Sequence, residues 1–177
     1  YAQFLAAFAE NRNSAPVIDY LQYVHHHTKE VNVVFFGDVV ADAAWAKSAI
    51  AGIQTDFPLE NLSTSFFSYP SDSSSVYLSS QYVQEMVASN PDVIFYTIPT
   101  KTDQVVDISL VDSTQNIYKI SDEIRAALPD TLIVLLTQPT AGAKVVEWCS
   151  RSFDYRSYTE NRVEEISALS VQLYFIH

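Results

Sequence analysis

Three short stretches hold side chains that could do chemistry together. Val31-Asn-Val-Val-Phe-Phe-Gly37-Asp38-Val39-Val40 reads as a buried strand closing on a Gly-Asp turn. Asn90-Pro-Asp-Val-Ile-Phe-Tyr-Thr-Ile-Pro-Thr100-Lys-Thr102-Asp103 repeats the pattern: a helix end, a buried strand, then a loop with two hydroxyls and a carboxyl. Between them, Ser68-Tyr-Pro-Ser-Asp72-Ser73-Ser74-Ser75 is a polar loop rich in turn formers. In an open α/β sheet such loops follow the carboxyl ends of parallel strands, where ligands bind. Gly37, Asp38, Ser73, Ser74, Thr100, Thr102 and Asp103 would then share one rim, with Asp72 beside them and Gln138 to Thr140 joining after a later strand. Carboxyls and hydroxyls so placed can move a proton, activate a nucleophile or hold a cation. Val39, at the head of the first loop, can do none of these.

Each of these residues also has a structural use. Asp38 and Asp103 can hold turns through side-chain to backbone hydrogen bonds. Ser and Asp ahead of a helical stretch are what a helix cap looks like, and capping is the expected role of Ser71 to Ser75. Asp38, Asp42 and Asp103 could surround Mg²⁺, but the lysine wanted after the last strand is missing, because Lys144 comes too early. A flavin or dinucleotide needs a phosphate loop rich in Gly, Ser or Thr after the first strand. Gly37-Asp-Val-Val-Ala-Asp42 has acids there instead, and the chain holds 3 Gly in all. Neither a cofactor nor a metal is therefore expected.

His25-His26-His27 invites a metal reading, yet adjacent residues of a helix point about 100° apart and cannot all face one ion. A solvated helix end near the amino edge of the strands is expected. Cys149, beside Trp148, reads as a buried inert thiol. Phe66, Phe67, Tyr69, Tyr77, Tyr82 and Tyr96 approach the rim. Aromatics there can stack on a sugar or fill a groove, and the same residues serve equally as core.

The elements that must position these residues alternate. A helix is expected from Ser14-Ala-Pro16 to about His27, preceded by helix-forming composition over Tyr1 to Ala9. Strands are expected near 31–36, 59–67, 93–98, 132–136 and 171–176. Helices are expected over Asp42 to Ile53, Val76 to Ala88, Val111 to Leu128 and Tyr158 to Leu169. Continuous Val, Ile, Leu and Phe runs are buried on both faces, which calls for a parallel sheet between helix layers. The strands near 32–36, 93–98 and 132–136 should be parallel neighbours.

Size and composition agree with this. The chain has 177 residues, 48% hydrophobic and 18% charged, a folded and not a disordered composition. Its net charge is −11, which argues against nucleic acid and anionic membrane surfaces as partners. No run of about 18 apolar residues is present, so no membrane span is expected. With 1 Cys, no internal disulfide can form.

The order of segments resembles the SGNH hydrolases, also called the GDSL esterase/lipase family. Val33-Val-Phe-Phe-Gly37-Asp38-Val39-Val40-Ala41 looks like that family's first block, a strand followed by Gly-Asp-Ser. Asn90 to Asp103 looks like its third block, a strand followed by Gly-x-Asn-Asp. Leu128-Pro-Asp-Thr-Leu-Ile-Val-Leu-Leu-Thr-Gln-Pro139 resembles the segment that follows. The likeness covers roughly residues 31–176. It implies a three-layer α/β/α sandwich with a flavodoxin-like parallel sheet of about five strands. It also implies a division into a helical N-terminal extension, 1–30, and an SGNH-hydrolase-like domain, 31–177.

Carried over position by position, the family's machinery is degenerate here. The nucleophile position is Val39. The oxyanion Asn position is Thr102, and the Gly of that motif is Thr100. The second-block region, Tyr69 to Ser75, holds no Gly, and no Asp-x-x-His occurs in the sequence. The base-bearing loop is expected beyond His177. A pseudoenzyme is therefore expected, binding a carbohydrate or acyl ligand or a protein partner, in a bacterial envelope or secreted protein more than in the cytoplasm. Two other readings stay open. One is an active ester hydrolase or acyltransferase using Ser73, Ser74 or Ser75. The other is a flavodoxin-topology interaction domain of different descent.

Overall fold

The apolar runs do become parallel strands. The computed structural model describes residues 17–137 and 171–175. In chain order these form α1 (Val17–Thr28), β1 (Val31–Gly37), α2 (Ala44–Asp56), β2 (Leu62–Ser68), α3 (Ser74–Ser79) and α4 (Tyr82–Val87). β3 (Val93–Thr97), α5 (Thr100–Val105), α6 (Leu110–Ala127), β4 (Leu132–Thr137) and β5 (Val171–Phe175) follow. The strands make one five-stranded sheet in the order β2-β1-β3-β4-β5, and every adjacent pair is parallel. The three expected neighbours are β1, β3 and β4.

Alternation along the strands divides the core in two. Val31, Val33 and Phe35 of β1 face α1 and α2, together with Val93, Leu132 and Val134. Val34 and Phe36 face α3, α4 and α6, together with Ile94, Tyr96, Ile133 and Leu135. The sheet is thus covered by helices on both faces, the arrangement that parallel strands require. On the first face Phe35 stacks on Phe66 at 5.0 Å and on Phe95 at 5.1 Å between ring centroids. These are its register partners in β2 and β3, so three phenyl rings form a ladder across the sheet. Trp45 meets Phe35 edge-on at 5.6 Å and ties α2 to the ladder.

Several boundaries differ from those the sequence predicts. α1, expected as part of an extension, is a layer of the domain: Tyr20, Leu21 and Val24 are buried in the core. α2 starts at Ala44 and not Asp42, because Asp42 takes a left-handed φ of 59° that no helix continues. Val76 to Ala88, expected as one helix, is two. Ser80 is extended (ψ 179°) and breaks the run. Its hydroxyl accepts the Tyr82 N–H at 3.3 Å, offering the backbone a local alternative to the helix. Thr100 to Val105, expected as loop, is the short helix α5, opened by the Asp103 N–H to Pro99 carbonyl bond of 2.9 Å. The helices expected at Tyr1–Ala9 and Tyr158–Leu169 lie outside the described residues. So do the helix start at Ser14–Pro16, Gln138–Thr140, Lys144, Trp148 and Cys149. Among the described residues no helix is long and apolar enough to cross a membrane.

Candidate functional site

β1 has β2 on one side and β3 on the other, so the strand order reverses between β1 and β3. In such a sheet the crevice opens at the carboxyl ends of that pair. Gly37 closes β1 there with φ +102°, a conformation L side chains rarely adopt. A Cβ on it would lie 2.4 Å from the Thr97 carbonyl oxygen, so glycine is required twice over. The Asp38 N–H donates to that same carbonyl at 3.0 Å. The Gly37 carbonyl accepts from Tyr69 N–H at 3.0 Å and from Val39 N–H at 2.8 Å. One tight turn thereby laces the ends of β1, β2 and β3.

Val39 points away from the rim. It is 3% exposed and packs in the core that holds Ala43 and Ala46. Its carbonyl accepts the Ser68 hydroxyl at 2.5 Å. Asp38 is half-buried and engaged, and Val40 stands out in solvent.

After β2, Ser73 caps α3: its hydroxyl accepts the Val76 N–H at 3.4 Å. Ser74 is fully buried. Its N–H donates to Asp103 Oδ1 at 2.7 Å, and the Ser113 hydroxyl donates to Asp103 Oδ2 at 2.6 Å. Asn116 Nδ2 donates to the hydroxyls of Ser74 at 3.0 Å and Ser75 at 3.1 Å. Asp103, 2% exposed, is therefore a clamp that joins α3, α5 and α6. Thr100 and Thr102 sit half-buried in α5 beside it. Sequence reasoning brings Ser74 and Asp103 to one face. It misses Ser113 and Asn116, which belong to a later helix and carry no local motif.

The three loops converge electrostatically on buried phenols. Tyr77 donates its hydroxyl to the Tyr69 carbonyl at 3.0 Å. Burial pushes its pKa well above the ordinary value of 10.0, and Tyr96, Asp38, Asp72 and Asp103 add to the effect. Tyr96 is pushed up by burial first and then by Asp103. Carboxyls from the segments after β1, β2 and β3 thus all act on Tyr77, and Asp103 acts on Tyr96 as well. Beside them Tyr69 and Tyr82 stack at 3.6 Å and 8°. Their hydroxyls donate to Glu85 and Asp72 at 3.1 and 3.0 Å. The Tyr96 hydroxyl and Thr97 Oγ1 are buried without a hydrogen bond. Thr97 faces Gly37 across the β1–β3 register and escapes a reading of the sequence; that pairing is its only signal, and it emerges only once register is known.

His25, His26 and His27 end α1 at the opposite, amino edge. His25 Nε2 accepts the Glu60 N–H at 3.1 Å, and the neighbouring Asn61 carbonyl accepts the Val31 N–H that opens β1. A cleft of about 510 Å³ lies here, away from the rim, with His25, Lys29 and Phe57 among its walls. Among the described residues, no three His, Cys, Asp or Glu gather to hold a metal ion.

Chemically, the rim offers carboxyls, hydroxyls and aromatic rings, with Ser73 and Ser74 committed to capping and packing and no hydroxyl at the end of β1. No family model and no curated protein matches the chain. Two solved structures share its fold. One is an active-site mutant of a family two carbohydrate esterase from Clostridium thermocellum, 12% identical with a TM-score of 0.52 over 83% of this chain. The other is a Streptococcus pneumoniae protein assigned as a platelet activating factor, 16% identical with a TM-score of 0.54 over 98%. The chain spans about half the length of the first, 54%, and 77% of the second. The shared architecture is an α/β fold with a parallel sheet flanked by helices.

Proposed function

We propose that this SGNH-hydrolase-type domain does not cleave esters and acts as a binding or scaffolding module, in a bacterial envelope or secreted protein. One observation carries the reading. The position after Gly37-Asp38 is a valine, buried at 3% exposure, where acyl transfer in this fold class needs a hydroxyl at the surface. Nucleophile, base and oxyanion donors act as a unit, and loss of the nucleophile alone costs on the order of a million-fold in a serine hydrolase such as subtilisin. Ser73 and Ser74 do not replace it, since one caps a helix and the other is sealed from solvent. Ser75 is exposed, but its hydroxyl accepts from Asn116 Nδ2 at 3.1 Å and has no imidazole or carboxyl bonded to it among the described residues. The rim that remains is acidic and hydroxyl-rich, with tyrosines alongside. It suits a neutral polyhydroxylated ligand better than a phosphate, and the likeness to a carbohydrate esterase supports a glycan.

The test is turnover of p-nitrophenyl acetate and labelling by a fluorophosphonate. We expect no turnover above buffer and no adduct, and Val39→Ser should stay inactive because the substituted hydroxyl would lie in the core. A stoichiometric adduct on a serine, located by mass, would overturn the reading.

A further inference from the structure

We propose that the cleft at the amino edge of the sheet binds a small apolar carboxylate, independently of the rim. The cleft lies between the end of α1 and the α2–β2 loop, and its volume of about 510 Å³ is in the range of small-molecule sites. One wall is apolar: Phe57, Pro58 and Leu59, with Phe57 39% exposed. That wall is held in place. Gln54 clamps Leu59 twice, donating to its carbonyl at 3.1 Å and accepting its N–H at 2.9 Å. His25 clamps the next residue by accepting the Glu60 N–H. Fixing a binding wall in advance reduces the ordering cost of association.

The facing wall supplies donors. An imidazole nitrogen that accepts a hydrogen bond carries no proton, so the His25 proton sits on Nδ1. Among the described residues Nδ1 has no hydrogen-bond partner, and Lys29 Nζ makes no ion pair. A cation at a helix end is ordinarily explained by the helix dipole. That explanation does not cover His25, whose Nε2 accepts from Glu60 and leaves Nδ1 as the donor. The end of α1 is also largely satisfied. The carbonyls of Tyr23, Val24 and His25 already accept from His27, Thr28 and Lys29. Two donors without partners among the described residues line the same cleft as a rigid apolar wall, and together they match one carboxylate on an aryl or short acyl group. Asp56, on the α2 side, opposes any anion and a doubly charged one most, which leaves a single carboxylate as the anion best tolerated.

The probe is phenylacetate, with phenylacetamide as its neutral counterpart, followed by amide shift mapping on the full chain. Phenylacetate should move His25, Lys29, Phe57 and Glu60 at millimolar concentration. Phenylacetamide should bind at least severalfold more weakly. Lys29→Gln should weaken phenylacetate by about fivefold, the size of an exposed ion pair, with the spectrum otherwise unchanged. Phe57→Ala should weaken acid and amide alike. Equal binding of acid and amide, indifference to Lys29→Gln, or shifts confined to Asp38 and Thr100 at the rim would each overturn the proposal.

Discussion

Gly37 combines a left-handed φ with the Thr97 carbonyl pressed against its missing Cβ. Gly37→Ala must therefore shift one strand end against another. We expect a loss of about 2–4 kcal/mol, measured as a lower urea midpoint at unchanged slope. Asp103 accepts from Ser74 and Ser113 in a buried setting. Asp103→Ala leaves two buried donors without partners and should cost about 3 kcal/mol. Asp103→Asn keeps an acceptor for the Ser74 N–H, and the Ser113 hydroxyl can turn to accept, so it should cost about 1 kcal/mol. The contrast between the two variants, read in the same denaturation, separates hydrogen bonding from packing.

Among the elements, α2 carries an avoidable weakness. Gly52 lies in its interior, and a Cβ there meets nothing within 4 Å. Gly52→Ala should stabilise the domain by about 0.5–1 kcal/mol, seen as a rise in Tm of a few degrees. β1, β3 and β4 are legible in the sequence because their apolar runs are nearly unbroken, a pattern that burial on both faces explains. α6 is legible because Ile117, Ile120 and Ile124 recur at helical spacing. Short elements are not. α5 and the break at Ser80 are settled by single hydrogen bonds, to Pro99 and from Tyr82, that leave no periodic trace. The rim is legible in its loops but not in its connections. Asp103 reads as a turn residue until the fold brings Ser74 and Ser113 onto its two oxygens.

For the whole molecule, alkali is the informative stress. Tyr69 is pushed from 10.0 up to about 12 by burial first and by its bond to Glu85 second. Tyr77 and Tyr96 are pushed higher by burial, and Tyr82 is raised by its bond to Asp72. Above pH 10 an unfolded chain releases these protons while the folded one keeps them, so stability falls as pH rises. It is fully present below pH 10, and the Tyr69 share is lost as pH passes through about 12. We expect the denaturant midpoint to drop between about pH 10 and about pH 12, and the folded protein to show fewer phenolates by absorbance than its 11 tyrosines allow. Another whole-molecule property follows from where the sheet stops. Among the described residues β2 is its last strand on one side. Leu62-Ser-Thr-Ser-Phe-Phe-Ser68 carries neither charge nor proline, and Ser63 and Thr64 lie exposed. A border of that kind is a template on which another copy can lay its own backbone. At neutral pH the net charge of −11 keeps copies apart by mutual repulsion. Near pH 4.5 that repulsion vanishes, and the acidity that looks like a statement about ligands becomes the colloidal guard of an open seam.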